Sequence, residues 1–129
     1  AKMKHMRWIR FVTATAAALV LMVSMARAEM ALIMVEEPGC MWCAKWNDEV
    51  APIYGKTPEG KAAPLQRIDI RERPPEDMKF ARGLHFTPTF VLMVDGQESG
   101  RIEGYPGEDV FWGLLGQLLE RAADSEAAG

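Results

Sequence analysis

The run from Met30 to Val35, Met-Ala-Leu-Ile-Met-Val, constrains the fold more than any other stretch of this chain. It is apolar without a break, where a strand with one wet face would alternate, so it reads as a strand buried on both faces. A helix-compatible stretch follows from Met41 to Val50, with Trp42, Trp46 and Val50 spaced by four along one face, and Pro52 bends or ends it. Tyr54 to Pro64 contains two glycines, two prolines and two lysines and is expected to be a surface loop. Leu65 to Ile70, which alternates imperfectly, reads as a second strand, parallel to the first because a helix separates them. Pro75-Glu76-Asp77 opens a short predicted helix through Arg82, with Gly83 as its stop. Thr89 to Val94, apolar after Thr89, is a third strand, and Asp95-Gly96 is a strong hairpin turn into a fourth, Glu98 to Glu103. A final helix is predicted from Glu108 to about Ala123, with Val110, Phe111, Leu114, Leu115, Leu118 and Leu119 on its apolar face. Gly113 and Gly116 would let it pack closely on the sheet, and Ser125 to Gly129 would be a frayed tail. The order β-α-β-α-β-β-α is that of an α/β three-layer sandwich around a four-stranded mixed sheet.

The two cysteines, Cys40 and Cys43, sit where the first strand hands over to the first helix, in Glu-Glu-Pro-Gly-Cys-Met-Trp-Cys-Ala-Lys-Trp. Residues three apart on a helix share a face at about 5–6 Å between Cβ atoms, close to what a disulfide needs, so the pair can open and close without refolding. Cys40 falls at the N-cap, where first-turn N–H groups and the helix dipole favour a thiolate. It is therefore the expected nucleophile, and Cys43, one turn further in, the resolving thiol. The alternative is a structural disulfide or half of a zinc site. The loop between them is too short to give much cross-linking entropy, and zinc wants about four ligands.

The first 28 residues read differently from the rest. Lys2, Lys4, Arg7 and Arg10 make a basic start, Phe11 to Ala26 is apolar apart from Thr13, Thr15 and Ser24, and Ala26-Arg27-Ala28 offers small residues where a signal peptidase reads. Residues 1–28 are expected to be a cleaved secretory leader and residues 29–129 the working domain. A retained membrane anchor is the alternative, although the apolar run is below the ~20 residues of a spanning helix. Residues 29–129 keep ten basic against 18 acidic side chains, a net charge of −8, which makes nucleic acid an unpromising partner. Export would place the cysteines in an oxidising compartment, where a reactive pair needs a dedicated electron source or a supply of substrates to oxidise. No dinucleotide motif or second redox centre is evident, so no bound cofactor is expected and the electrons must come from another protein.

Residues 29–129 resemble the thioredoxin superfamily over nearly their whole length. The resemblance rests on the Cys-x-x-Cys at a strand-to-helix junction and on Thr87-Pro88 before the third strand. More narrowly, Glu-Pro-Gly-Cys-Met-Trp-Cys followed by Lys-Thr-Pro-Glu-Gly-Lys-Ala-Ala-Pro-Leu is similar to the periplasmic thioredoxins of the bacterial sulfur-oxidation (Sox) system, the SoxS type. The resemblance implies a thiol-disulfide oxidoreductase that keeps a sulfur-carrier partner active, with a membrane thiol transporter of the CcdA or DsbD kind as electron donor. It implies Cys40 and Cys43 as a redox-active disulfide, a cis Pro88 that presents the Thr87 backbone to a partner peptide, a periplasmic location and action as a monomer. Trp42 is expected to be exposed beside the cysteines as a partner contact, and Trp46 buried.

Two departures from the family stand out. Met-Trp between the cysteines is neither the Gly-Pro of general thioredoxins nor the Pro-His of the periplasmic thiol oxidase, so the redox potential does not carry over. Cytosolic thioredoxins also have a buried aspartate six residues before the first cysteine, where this chain has Met34. Glu36 or Glu37 is the candidate substitute for its proton transfer, the alternative being two solvated acids at a strand end. Two other functions stay open at this level. One is a copper-transfer module built on the dithiol with His85 and some of Met30, Met34, Met41, Met78 and Met93, although packing also explains those methionines. The other is a redox-inert interaction domain.

Overall fold

The unbroken apolar runs form β1 (Met30–Glu36) and β3 (Thr89–Val94), the two central strands of the sheet. In the computed structural model, which describes residues 27–128, they are flanked by β2 (Leu65–Asp69) and β4 (Gln97–Glu103) in the order β2-β1-β3-β4. Of the expected leader, residues 1–28, all but the last two lie outside the described residues. β1 is parallel to β2 and antiparallel to β3, and β3 and β4 form an antiparallel hairpin. The hairpin turns on Asp95 and Gly96, at φ 50° and 78°, the left-handed pair that a two-residue turn of this twist needs.

Between the strands lie α1 (Met41–Glu49), α2 (Ala51–Tyr54), α3 (Pro58–Ala62) and α4 (Glu108–Ala128). Alternation along the strands feeds two cores. Leu32, Met34, Phe90 and Leu92 face α1 and α4 and meet Trp46, Val50, Phe111 and Leu115. The Trp46 ring stands at the centre of this core, 5.1 Å from Phe90, 5.8 Å from Phe111 and 6.1 Å from Tyr54 between centroids. Ile33, Val35, Val91 and Met93 face the other way, under Met78, Phe80 and Leu84. The two-sided burial expected of a continuously apolar strand is thus met by helices on one face and by a covering segment on the other.

That covering segment is not the helix expected over residues 75–82. It runs extended and in turns, and its backbone groups bond outward instead of along a helix axis. Lys79 N donates to Gly96 O at 2.7 Å and Glu98 N to Lys79 O at 2.9 Å, a parallel bridge to the start of β4. Met78 and Phe80, two residues apart, both reach the core, which an extended chain allows and a helix does not.

Residues 54–64 are likewise more ordered than a surface loop. Tyr54 is buried and donates its hydroxyl to Ala63 O at 2.6 Å. Thr57 caps α3 by accepting the Gly60 N–H at 3.0 Å, with Pro58 in the first turn. A Cβ on Gly60 would lie 1.8 Å from Tyr54 O, so only glycine fits. Ser125 to Ala128 continue α4 instead of fraying, in line with the helix propensity of its alanines and glutamate.

Gly113 and Gly116 do not mediate close packing, since a Cβ at either would meet nothing within 4 Å. Gly113→Ala should therefore stabilise the domain by up to ~1 kcal/mol through helix propensity alone. Chemical denaturation reads this directly, and a loss of stability would mean that Gly113 has a contact the fold does not show. Among the described residues no helix is long and apolar enough to cross a membrane.

Candidate redox site

Gly39, at φ 82°, turns the chain from β1 into α1 and leaves Cys40 in an extended conformation at the N-cap, φ −75° and ψ 108°. The Cys40 sulfur accepts the backbone N–H of Cys43 at 3.1 Å. The first turn of α1 carries no acidic side chain to offset the positive end of the helix dipole. Cys40 and Cys43 are joined as a disulfide with their Cα atoms 5.2 Å apart. Cys43 is 4% exposed and Cys40 only half-buried, so an incoming sulfur meets Cys40 first.

Thr87 and Pro88, the other residues expected at the site, lie in the chain before β3. The Thr87–Pro88 peptide is cis, Pro88 is buried, and its carbonyl accepts the Gly104 N–H at 2.7 Å. The Thr87 hydroxyl donates to Glu37 Oε1 at 3.0 Å, which ties this segment to the loop carrying Cys40. The Thr89 hydroxyl donates to Phe86 O at 2.6 Å and fixes the approach to β3.

Trp42 is exposed, with the Lys45 ammonium 5.3 Å from its ring centroid, while Trp46 is fully buried. Met41 is 80% exposed and Phe86 58%, so three large apolar side chains border the two segments that Glu37 and Thr87 join. Sequence reasoning did not single out Phe86. Its place next to Thr87-Pro88, outside any strand or helix, was the available signal.

Both acids offered in place of the family's aspartate have other partners. Glu36 pairs with Arg67, and Glu37 accepts the Thr87 hydroxyl. Met34 fills the aspartate's position, fully buried, with Arg67 Nη1 3.4 Å from its sulfur and the guanidinium 5.8 Å from the Trp46 ring centroid. Met34 and Met93 are core residues, Met41 is on the surface, and His85 is exposed. Among the described residues, no group of three or more His, Cys, Asp or Glu side chains is placed to hold a metal ion. The arrangement suits a chemistry in which an accessible sulfur and a covered sulfur interconvert between disulfide and dithiol.

A scan against protein-family models returned no match for this chain, and neither did a search of curated proteins. Among solved structures, the reduced form of the periplasmic thioredoxin SoxS from Paracoccus pantotrophus is similar at 53% sequence identity and a TM-score of 0.72. The match covers 73% of this chain and 99% of that one. The thioredoxin Mala s 13 of Malassezia sympodialis shares the fold at 20% identity and a TM-score of 0.50, over 69% of this chain and 74% of its own.

Proposed function

The chain belongs to the family of the periplasmic thioredoxin SoxS and is a thiol-disulfide oxidoreductase, and we propose that it works in the periplasm as a reductant of protein disulfides. The observation that carries exchange with protein disulfides through Cys40 is the asymmetry of the two sulfurs, with Cys40 accessible at a helix N-cap and Cys43 covered one turn further in.

In the reduced protein the Cys40 thiolate attacks one sulfur of the partner's disulfide. A mixed disulfide forms and the partner's other sulfur leaves as a thiolate. Cys43, deprotonated, then attacks the Cys40 sulfur, closing the Cys40–Cys43 disulfide and releasing the partner's second thiolate. Two electrons have passed to the partner, and the two protons lost by the dithiol balance those its thiols take up. Thr87 and Pro88 would line the partner's backbone and Trp42 its side chains. A membrane thiol transporter of the CcdA or DsbD kind would restore the dithiol, and a sulfur-carrier protein of the Sox system is the proposed recipient.

The division into a leader, residues 1–28, and a domain, residues 29–129, is supported by the tie that Glu29 makes to the β3–β4 turn. Glu29 N donates to Asp95 Oδ1 at 2.9 Å, and Glu29 O accepts the Asp95 N–H at 2.8 Å. A cut after Ala28 would place the new ammonium of Glu29 against the Asp95 carboxylate, a favourable pairing.

Because the two cysteines act in order, single substitutions should differ in what they capture. Cys43→Ser is expected to accumulate covalent complexes with exported proteins in periplasmic extracts, and Cys40→Ser to accumulate few. Non-reducing gels followed by mass spectrometry read the outcome. Equal capture by the two variants would refute the order of attack, and no capture by either would refute protein disulfides as the substrate.

A further inference from the structure

β4 carries one residue too many for its partner. Leu92 lies opposite Gly100 and Met93 opposite Glu98, so Ser99 is extra, a bulge. Side chains two apart on a strand share a face and those three apart do not, but a bulge resets the count. Gly100 and Ile102 face α4 and the larger core, and Arg101 faces away. The bulge turns Glu98 to the same side as Arg101, and the two side chains pair there at 4% exposure each.

This pair sits under the covering segment and holds its backbone. Arg101 donates from Nε and Nη2 to the Glu98 carboxylate at 2.9 and 2.6 Å, from Nη2 to Arg82 O and from Nη1 to Gly83 O, both at 3.0 Å. Glu98 Oε1 also accepts the Ala81 N–H at 3.0 Å. Arg82 reaches Glu103 in turn at 2.6 Å. Burial pushes the Glu98 carboxyl up, and the hydrogen bonds from Arg101 and Ala81 outweigh it, so the group titrates below the ordinary carboxylate range and the pair stays charged at neutral pH.

From Ala81 to Gly83 the chain is therefore shaped by two side chains of β4 where a helix would have shaped itself. Leu84 and His85 follow, and after them Phe86, Thr87 and Pro88. We propose that Arg101, charge-paired to the Glu98 that the Ser99 bulge turns toward it, is a positioning residue for protein partners: it fixes the 81–88 segment so that Phe86 and Thr87–Pro88 face whatever Cys40 attacks. The proposal rests on reading that segment as partner-facing. It predicts that the pair matters for large disulfide substrates and not for the sulfur chemistry itself.

The test compares two substrates of the reduced full-length protein, insulin as the protein disulfide and hydroxyethyl disulfide as a molecule too small to need the segment. Replacing both charges, Glu98→Leu with Arg101→Met, avoids leaving a lone buried ion. The insulin rate is expected to fall about tenfold, in line with the cost of small misplacements in a reacting complex, while the hydroxyethyl disulfide rate stays within about twofold. Arg101→Lys keeps a cation opposite Glu98 but cannot reach the carboxylate and both carbonyls, so its ratio of the two rates should lie in between. That variant decides alone if the double variant does not fold. A ratio unchanged in either folded variant, or both rates falling together, overturns the positioning role. If the unsubstituted protein reduces neither substrate, the redox assignment itself fails, which is a different outcome from either.

Discussion

Trp46→Ala is expected to cost about 3–5 kcal/mol, while Trp42→Ala, four residues earlier on the same helix, should change stability by no more than about 0.5 kcal/mol. The difference follows from where each ring lies. Trp46 is fully buried, and its centroid is within 6.1 Å of Tyr54, Phe90 and Phe111. It joins α1 to the sheet and to α4, so truncation would leave a cavity bordered by three elements that cannot all close on it. Trp42 is 54% exposed, and its ring contact with Lys45 is a surface cation–π pair. For a domain of this size each kcal/mol moves Tm by roughly 4–8 °C, so Trp46→Ala should lower Tm by roughly 12–40 °C. A folded domain is stable by only about 5–15 kcal/mol, so the variant would be marginal at 37 °C. Thermal unfolding followed by circular dichroism tests the pair. Equal losses in the two variants would contradict the placement of Trp46 as the centre of the larger core.

Cys40→Ser should lower thiol-disulfide exchange by roughly 10³-fold or more, because no second accessible thiol is available to begin the reaction. Cys43→Ser should behave differently. It keeps the attacking sulfur, so the first step proceeds at close to its normal rate, and turnover stops at the mixed disulfide. Stopped-flow mixing with a disulfide substrate separates the two, with a single-turnover burst for Cys43→Ser and none for Cys40→Ser. A burst from Cys40→Ser would mean that Cys43, at 4% exposure, opens to solvent on its own.

The parts of this fold that were legible in the sequence are those set by local chemistry. Met30 to Val35 is a central strand because an unbroken apolar run has to be covered twice, and Asp95-Gly96 turns because that dipeptide tolerates positive φ at both positions. The N-cap position of Cys40 followed from the strand-to-helix handover. The covering segment was misread because Pro75-Glu76-Asp77 looks like a helix start, and the competing signal, Met78 and Phe80 two apart, was only one repeat long. What decides against the helix is tertiary: the backbone of 79–83 bonds to β4 and to Glu98 and Arg101, whose shared face depends on a bulge that no composition rule reveals. The same holds for Phe86, whose segment is tied to the loop carrying Cys40 by the hydrogen bond that Thr87 donates to Glu37. Thr57-Pro58-Glu59 was a readable helix start that the glycines around it obscured.

On the proposed function, Cys40 is a nucleophile made reactive by its place at the N-cap of α1. The rate of alkylation by iodoacetamide against pH, measured in Cys43→Ser so that one thiol reports, reads that reactivity. The N–H groups of the first turn and a helix end free of acidic side chains should hold the Cys40 thiolate to a midpoint well below the ~8.5 of a free cysteine. A midpoint at or above the free value would contradict the claim, because the sulfur would then gain nothing from the helix it caps.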